Sequence, residues 1–175
     1  MAFCYCFSLT SITIPDSVTS LEEGTFYQCT SLTSVIIPDS VTSIGTGAFA
    51  DCTSLTSVII GEGVTEIGEN AFADCYSLTS ITIPSSVTSI GGYTFNGCTS
   101  LTSITIPDSV TTIGTGTFSD CHSLTIYCEA ESQPSGWVKN WKYSGASEYW
   151  YSESEPSEDG RYWHYGENSE IVIWE

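Results

Sequence analysis

Six cysteines, Cys6, Cys29, Cys52, Cys75, Cys98 and Cys121, recur every 23 residues without exception, and a fixed period of this size marks stacked units rather than a globule. Other ladders keep the same step. Three residues after each cysteine stands Leu9, Leu32, Leu55, Leu78, Leu101 or Leu124, and eight after the first five stands Ile14, Ile37, Ile60, Ile83 or Ile106. Twelve after comes Val18, Val41, Val64, Val87 or Val110; twenty after comes Phe26, Phe49, Phe72, Phe95 or Phe118, with Phe3 one step earlier.

Within each unit L-x-x-[IV]-x-I alternates apolar and other residues near its end, the period-two signature of a short strand buried on one side. Pro15, Pro38, Pro84 and Pro107 follow; lacking an amide donor and fixing φ, proline stops the strand and turns the chain. V-T-S-I is short and β-branched and reads as a second brief strand. Gly45, Gly68, Gly91 and Gly114 break it, ahead of a tight turn or single helical turn carrying the phenylalanine. One unit cannot stand alone. Its seven apolar side chains contribute ~2 kcal/mol each on burial, against ~1.5 kcal/mol of ordering entropy per residue over 23 residues. Piled at the ~4.8 Å strand spacing, the units bury one column of Leu, Ile, Val, Phe and Cys and line one face with a parallel sheet.

The pattern C-x-x-L-x-x-[IV]-x-I-P-x-x-V-x-x-I-G-x-x-x-F resembles the BspA-like class of leucine-rich repeats. The resemblance implies a right-handed leucine-rich-repeat solenoid over residues 1–128, five 23-residue units with partial units at the ends. It also implies a cell-surface or secreted protein of a host-associated bacterium or parasitic protist, in a family whose members are implicated in adhesion. One unit departs from the pattern: Gly61-Glu62-Gly63 stands where others read Pro-x-Ser.

After Leu124 the register slips by one residue, and from 129 to 175 Trp and Tyr accumulate while Leu disappears. This tail repeats with a step of 22: Glu131-Ser-Gln-Pro134-Ser135 returns as Glu153-Ser-Glu-Pro156-Ser157, Trp141-x-Tyr143 as Trp163-x-Tyr165, and Ser147-Glu148 as Ser169-Glu170. It predicts two atypical closing coils, with Tyr149–Tyr151 equivalent to Ile171–Ile173 and Pro134 and Pro156 starting turns. Trp137, Trp141, Trp150 and Trp163 are expected to fill and cover the last coil, the face taken by Trp150 being undecided. The E-S-x-P-S and W-x-Y segments also resemble endings in the same family.

The chain carries 21 acids against three bases, a net charge of −18. Lys139, Lys142 and Arg161 all follow residue 128, so the repeat region has no base, and such a surface repels phosphate backbones and anionic membranes. Asp16, Asp39, Glu62 and Asp108 share one corner of successive units and read as a solvated rim rather than a calcium ladder. Neither metal nor cofactor is expected. Stacked equivalent cysteines sit at the coil spacing, too far apart for the ~3.5–4.5 Å Cβ separation of a disulfide. Six reduced, buried thiols are therefore predicted, with Cys4 the exposed one and Cys4 and Cys128 too distant to bridge.

No reaction centre stands out. His122 and His164 occupy variable surface positions, and the acid pairs Glu22-Glu23 and Glu158-Asp159 fall in turns. A non-enzymatic binding module fits better. The outward strand positions form a flat array, Ser11 and Thr13, Ser34 and Ile36, Ser57 and Ile59, Ser80 and Thr82, Ser103 and Thr105, with Asp39, Glu62 and Asp108 at its rim. Such a face suits a protein or glycan ligand on a host or neighbouring cell. The competing expectation is a purely structural spacer in a longer surface protein. An ice-binding threonine stripe is disfavoured because Ile36 and Ile59 interrupt it. Residues Met1 to Phe7 hold neither a charged leader nor an apolar run of signal length, and they begin inside a unit. Three expectations stay open for that uncapped end: a piece of a longer protein, edge-to-edge self-association, or fraying.

Overall fold

The structure is a computed structural model that describes residues 2–142, 146–154, 156, 160–166 and 168–174. Tyr143, Ser157 and the Glu158-Asp159 pair, all singled out in the sequence, lie outside the described residues.

Each coil contributes two strands on different sides of the stack. The L-x-x-[IV]-x-I segment forms the long one: β2 (Ser34–Ile37), β4 (Ser57–Ile60), β6 (Ser80–Thr82), β8 (Ser103–Ile106) and β10 (Thr125–Cys128). The residues after the valine form the short one: β1 (Ser20–Leu21), β3 (Ser43–Ile44), β5 (Glu66–Ile67), β7 (Ser89–Ile90) and β9 (Thr112–Ile113), continued by β11 (Gly136–Trp137). The short strands make one parallel six-stranded sheet in the order β1-β3-β5-β7-β9-β11. The long strands pair in parallel one coil apart, Ser34 with Ser57 and Ser57 with Ser80 in one ladder and Ser103 with Thr125 in a second, so within each ladder a coil repeats its neighbour's register. No helix forms among the described residues: the phenylalanine sits in a hydrogen-bonded turn. In the first coil only β1 joins a ladder; residues 8–15 belong to no strand.

The predicted column forms the core. Leu32, Leu55, Leu78 and Leu101 are fully buried, as are Val41, Val64, Val87 and Val110. Phe26, Phe49, Phe72, Phe95 and Phe118 stack ring on ring at 5.1–5.7 Å. Trp141 meets Phe118 edge-on at 5.9 Å and ends the stack. Parallel coils place identical residues at one strand spacing, so flat rings fall naturally into an offset stack.

The glycine after β3, β5, β7 and β9 serves a purpose that turn-breaking does not describe. Gly91 has no left-handed φ; a Cβ there would lie 2.5 Å from the backbone nitrogen of Glu69 in the preceding coil. Close approach of coil to coil sets the residue. Left-handed torsions fall elsewhere, immediately before the ladder cysteines, at Gln28, Asp51, Asp74, Gly97 and Asp120, and four residues earlier, at Gly24, Gly47, Asn70, Tyr93 and Gly116.

All eight cysteines are free. Cys29, Cys52, Cys75, Cys98 and Cys121 are buried, whereas Cys6, expected to be buried with them, is half-exposed because no coil covers it. Cys4 is likewise only half-exposed. Cys128 pairs in register with Ile106 and takes the buried isoleucine place of its strand.

The tail departs from the expected 22-residue equivalence. β12 (Ser147–Tyr151) continues the long sheet beside β10, but its next parallel partner is β13 (Tyr162–Tyr165), with Trp150 opposite Tyr162 and Tyr151 opposite Trp163. β14 (Ile171–Ile173) folds back antiparallel on β13 through a turn closed by Gly166 N–H to Glu170 O at 2.9 Å, with Ser169 at φ 61°. Thus 171–173 is the outer arm of a hairpin, and 149–151 is an interior strand. Trp150, opposite Cys128, faces inward and packs on the core and on Trp137.

Candidate functional site

Alternation along the long strands decides what reaches solvent. Val35 and Ile37 point inward, so Ser34 and Ile36 point outward, and the same holds in every coil. The register then aligns outward side chains in two rows. One runs Ser34, Ser57, Ser80 and, beyond β6, Ser103, Thr125, Ser147. The other runs Ile36, Ile59, Thr82 and then Thr105, Tyr127, Tyr149. All eight predicted strand residues therefore share one face. Ile36 and Ile59 are 63% and 59% exposed, Ser34, Ser80, Thr82 and Ser103 are exposed, and Ser57 and Thr105 are half-buried.

The predicted acids lie beside this face rather than on it. Asp39, Glu62 and Asp108 are exposed at the corner after the long strands. Asp39 Oδ1 accepts a hydrogen bond from the Glu62 amide at 2.9 Å, so this carboxylate holds the proline-free corner next to it.

The long sheet is not continuous. Its strands form two ladders, β2-β4-β6 and β8-β10-β12-β13-β14, although β6 and β8 are neighbours. Elsewhere each coil tethers the strand entrance: Thr56 N–H to Thr33 O and Thr79 N–H to Thr56 O on one side, Thr125 N–H to Thr102 O on the other, at 2.9–3.1 Å. The corresponding bond from Thr102 to Thr79 is not formed. The same two coils stay paired on the opposite side, where β7 and β9 keep their register, so the break lies between the long strands. The seam coincides with the one place where outward threonines, Thr82 and Thr105, face each other; Ile–Ile and Thr–Tyr neighbours elsewhere pack larger side chains across the ladder.

Over this seam lies a cleft of about 360 Å³, floored by Ser80, Thr82, Ser103 and Thr105 and walled by Pro107, Glu129 and Tyr165. The wall is held by an aromatic cluster. Trp163 is wholly buried on the outward side, edge-on to Tyr127, Tyr151 and Tyr165 at 5.8, 5.5 and 4.8 Å, and its Nε1 donates to Cys128 O at 3.0 Å. Tyr165 covers it, and its hydroxyl donates to Glu129 Oε1. Burial, then this bond and the Glu129 charge, push the Tyr165 phenol up to about 12. Tyr127 stacks on Tyr149 at 5.7 Å, and burial raises its phenol too.

Ser80, Thr82, Ser103 and Thr105 are among the outward strand positions named from the sequence, whereas Glu129 and Tyr165 are not. Glu129 and Tyr165 meet only because β13 returns beside β12, and the 22-residue repeat conceals that pairing. The two histidines lie apart: His122 is exposed in a turn, and the His164 ring stacks on Trp174 at 4.2 Å. At the opposite end of the stack, Phe3, Ile12, Ile14, Val18, Leu21 and Phe26 line an open apolar hollow of about 420 Å³.

The sequence profile described as a BspA type leucine rich repeat region matches residues 1–125 in six copies. Among solved structures, the chain is similar to a leucine-rich repeat protein of T. pallidum, at 31% identity and a TM-score of 0.62 over 75% of this chain and 67% of that one. It is similar to a leucine-rich cell surface protein of Faecalibacterium prausnitzii, at 31% identity and a TM-score of 0.62 over 90% of this chain and 49% of that one. A leucine-rich repeat protein of Eubacterium ventriosum matches at 26% identity and a TM-score of 0.66, over 94% of this chain and 41% of that one. A search of curated proteins returned no match.

Proposed function

We propose a function from the premise that this chain belongs to the BspA-type family of leucine-rich repeats: it is a non-enzymatic binding and adhesion module of a cell-surface or secreted protein. Its ligand is a protein or glycan of a host or neighbouring cell, taken on the outward face of the long sheet. The observation that carries this reading is the pair of aligned outward rows, which leads from exposed Ile36 and Ile59 across four hydroxyl side chains to Tyr127 and Tyr149. Short β-branched and aromatic side chains on paired strands lose little entropy when covered, and broad sheet faces are what solenoids offer partners. The relative from Faecalibacterium prausnitzii, described as a cell surface protein, supports the location.

A spacer role is the competing reading, favoured by the chain's spanning 49% and 41% of two longer relatives. Binding to immobilised matrix proteins and to a glycan array, measured for the chain and for a variant with Ser80, Thr82, Ser103 and Thr105 replaced by lysine, separates them. Saturable binding lost in the folded variant supports the module; the absence of any saturable ligand supports the spacer.

A further inference from the structure

We infer that the seam between β6 and β8 is a subsite for one neutral sugar ring of a glycan, an inference that rests on the binding reading above and gives it a ligand class. The cleft fixes three properties of its occupant. Its size, about 360 Å³, lies at the small-ligand end of ordinary binding clefts. A protein surface would need about 800 Å² of contact on each partner, far more than this hollow supplies. The fitting unit is compact.

The second property is a polar, uncharged floor. Ser80, Thr82, Ser103 and Thr105 each offer a hydroxyl that both donates and accepts. Between Thr79 and Thr102 the inter-coil backbone bond made by the neighbouring coils is also unmade, and Thr79 lines the cleft. Mixed donors and acceptors at strand spacing match a polyol, whose hydroxyls have the same dual character. Anionic ligands are disfavoured: the chain carries a net charge of −18, and Glu129 is the charged residue of the cleft. Glu129 does not mark the site as a cation trap either, because Tyr165 already donates a hydrogen bond to it.

The third property is an aromatic wall. Tyr165 is 45% exposed and lines the cleft, while Trp163 behind it and the hydroxyl bond to Glu129 fix the ring's orientation. A preorganised ring of this kind accepts the C–H face of a sugar while the seam takes its hydroxyls. Trp163 also gives the site its own reporter, since a ligand on Tyr165 covers the ring that covers it.

The experiment is an array of neutral gluco-, galacto- and manno-oligosaccharides printed beside sialylated and sulfated ones. The strongest neutral hit is then titrated in solution with tryptophan fluorescence as readout. Wild type is compared with Thr105→Lys, which fills the seam, with Tyr165→Ala, and with Tyr76→Lys, which alters an exposed turn residue outside the outward rows. Because Tyr165→Ala uncovers Trp163, Thr105→Lys with an unchanged thermal midpoint is the decisive variant. The inference expects saturable binding of a neutral oligosaccharide, weakened roughly 10-fold or more by Thr105→Lys and Tyr165→Ala and no more than about 2-fold by Tyr76→Lys. It is overturned if no neutral saccharide binds, if only anionic ones do, or if Thr105→Lys binds as wild type does. If matrix-protein binding persists and is lost in the Ser80, Thr82, Ser103 and Thr105 variant while no sugar binds, the sugar subsite falls and the binding module stands. If neither kind of ligand binds, both fall.

Discussion

The Cys75 thiol donates to the carbonyl oxygen of Phe49, 3.2 Å away in the preceding coil, and the same bond recurs from Cys29 to Phe3, Cys52 to Phe26, Cys98 to Phe72 and Cys121 to Phe95. The ladder cysteine is therefore a small core residue that also donates, across coils, to a carbonyl already accepting an amide hydrogen bond within its own coil, as Phe49 O does from Cys52 N–H at 3.2 Å. Cys75→Ala removes the donor and leaves a void, and is expected to cost ~1–2 kcal/mol. Cys75→Ser, which keeps a donor, should cost less. Urea unfolding of the two variants beside Cys4→Ala, expected to be near neutral, measures the difference.

Thiol reactivity follows from the same burial. In the native chain the half-exposed Cys4 and Cys6 should react with a maleimide, whereas all eight cysteines should react in denaturant. Native labelling of any of Cys52, Cys75 or Cys98 on the same timescale would show that the coils separate.

Burial pushes the Cys52 and Cys121 thiols from 9.0 up to about 12, and Cys75 and Cys98 well above their ordinary value. A raised folded-state pKa means that the unfolded chain releases these protons first. Their contribution to stability is whole below pH 9.0 and is lost as pH rises toward 12. Each fully expressed unit of difference is worth about 1.4 kcal/mol per thiol. Thermal midpoints should be flat in these groups from pH 6 to 8 and fall steeply above about 9, and Cys52→Ser should blunt the fall.

Gly91 and Gly47 should respond differently to alanine. At Gly91 the added carbon meets the preceding coil's backbone at 2.5 Å, so the stack must open. At Gly47 the nearest contact is Ala50 at 3.9 Å and only the φ of +59° resists. Gly91→Ala is expected to cost ~3 kcal/mol or more and Gly47→Ala ~1–2 kcal/mol, read from denaturant midpoints at constant slope.

Charge adds an opposite-to-usual salt response. The repeat region has no base, and Lys142–Glu148 at 2.7 Å is the ion pair among the described residues. Added sodium chloride therefore screens repulsion more than attraction and should raise the thermal midpoint by ~2–5 °C between 0.05 and 0.5 M. A falling midpoint would contradict this balance.

What the sequence disclosed and what it withheld divide along a physical line. The ladders of Leu32, Val41, Phe49 and their equivalents were legible because stacking puts identical residues in identical surroundings, so periodicity alone names the core. The outward rows follow from strand parity. The seam was not legible: β6 and β8 carry the same Ser-Ile-Thr as each other, and whether the Thr82–Thr105 edge closes depends on a balance of small cross-strand terms. Nor was the wall. Trp163 has a sequence partner in Trp141, yet one lies on the outward face beneath Tyr165 and the other caps Phe118, because the 12-residue step from Trp150 to Tyr162 sets the pairing.

The central claim is that inward side chains hold this stack together while the outward face of the long sheet meets the partner. Hydroxyl-radical footprinting of the chain with and without its best-binding matrix protein or oligosaccharide reads both halves at once. Protection of Tyr165, Tyr149, Ile59 or Ile36, with Tyr76, Tyr93 and Tyr5 unchanged, is the predicted result. Protection confined to Tyr5, Phe7, Tyr76 or Tyr93, with the outward rows as reactive as in the free chain, would contradict it.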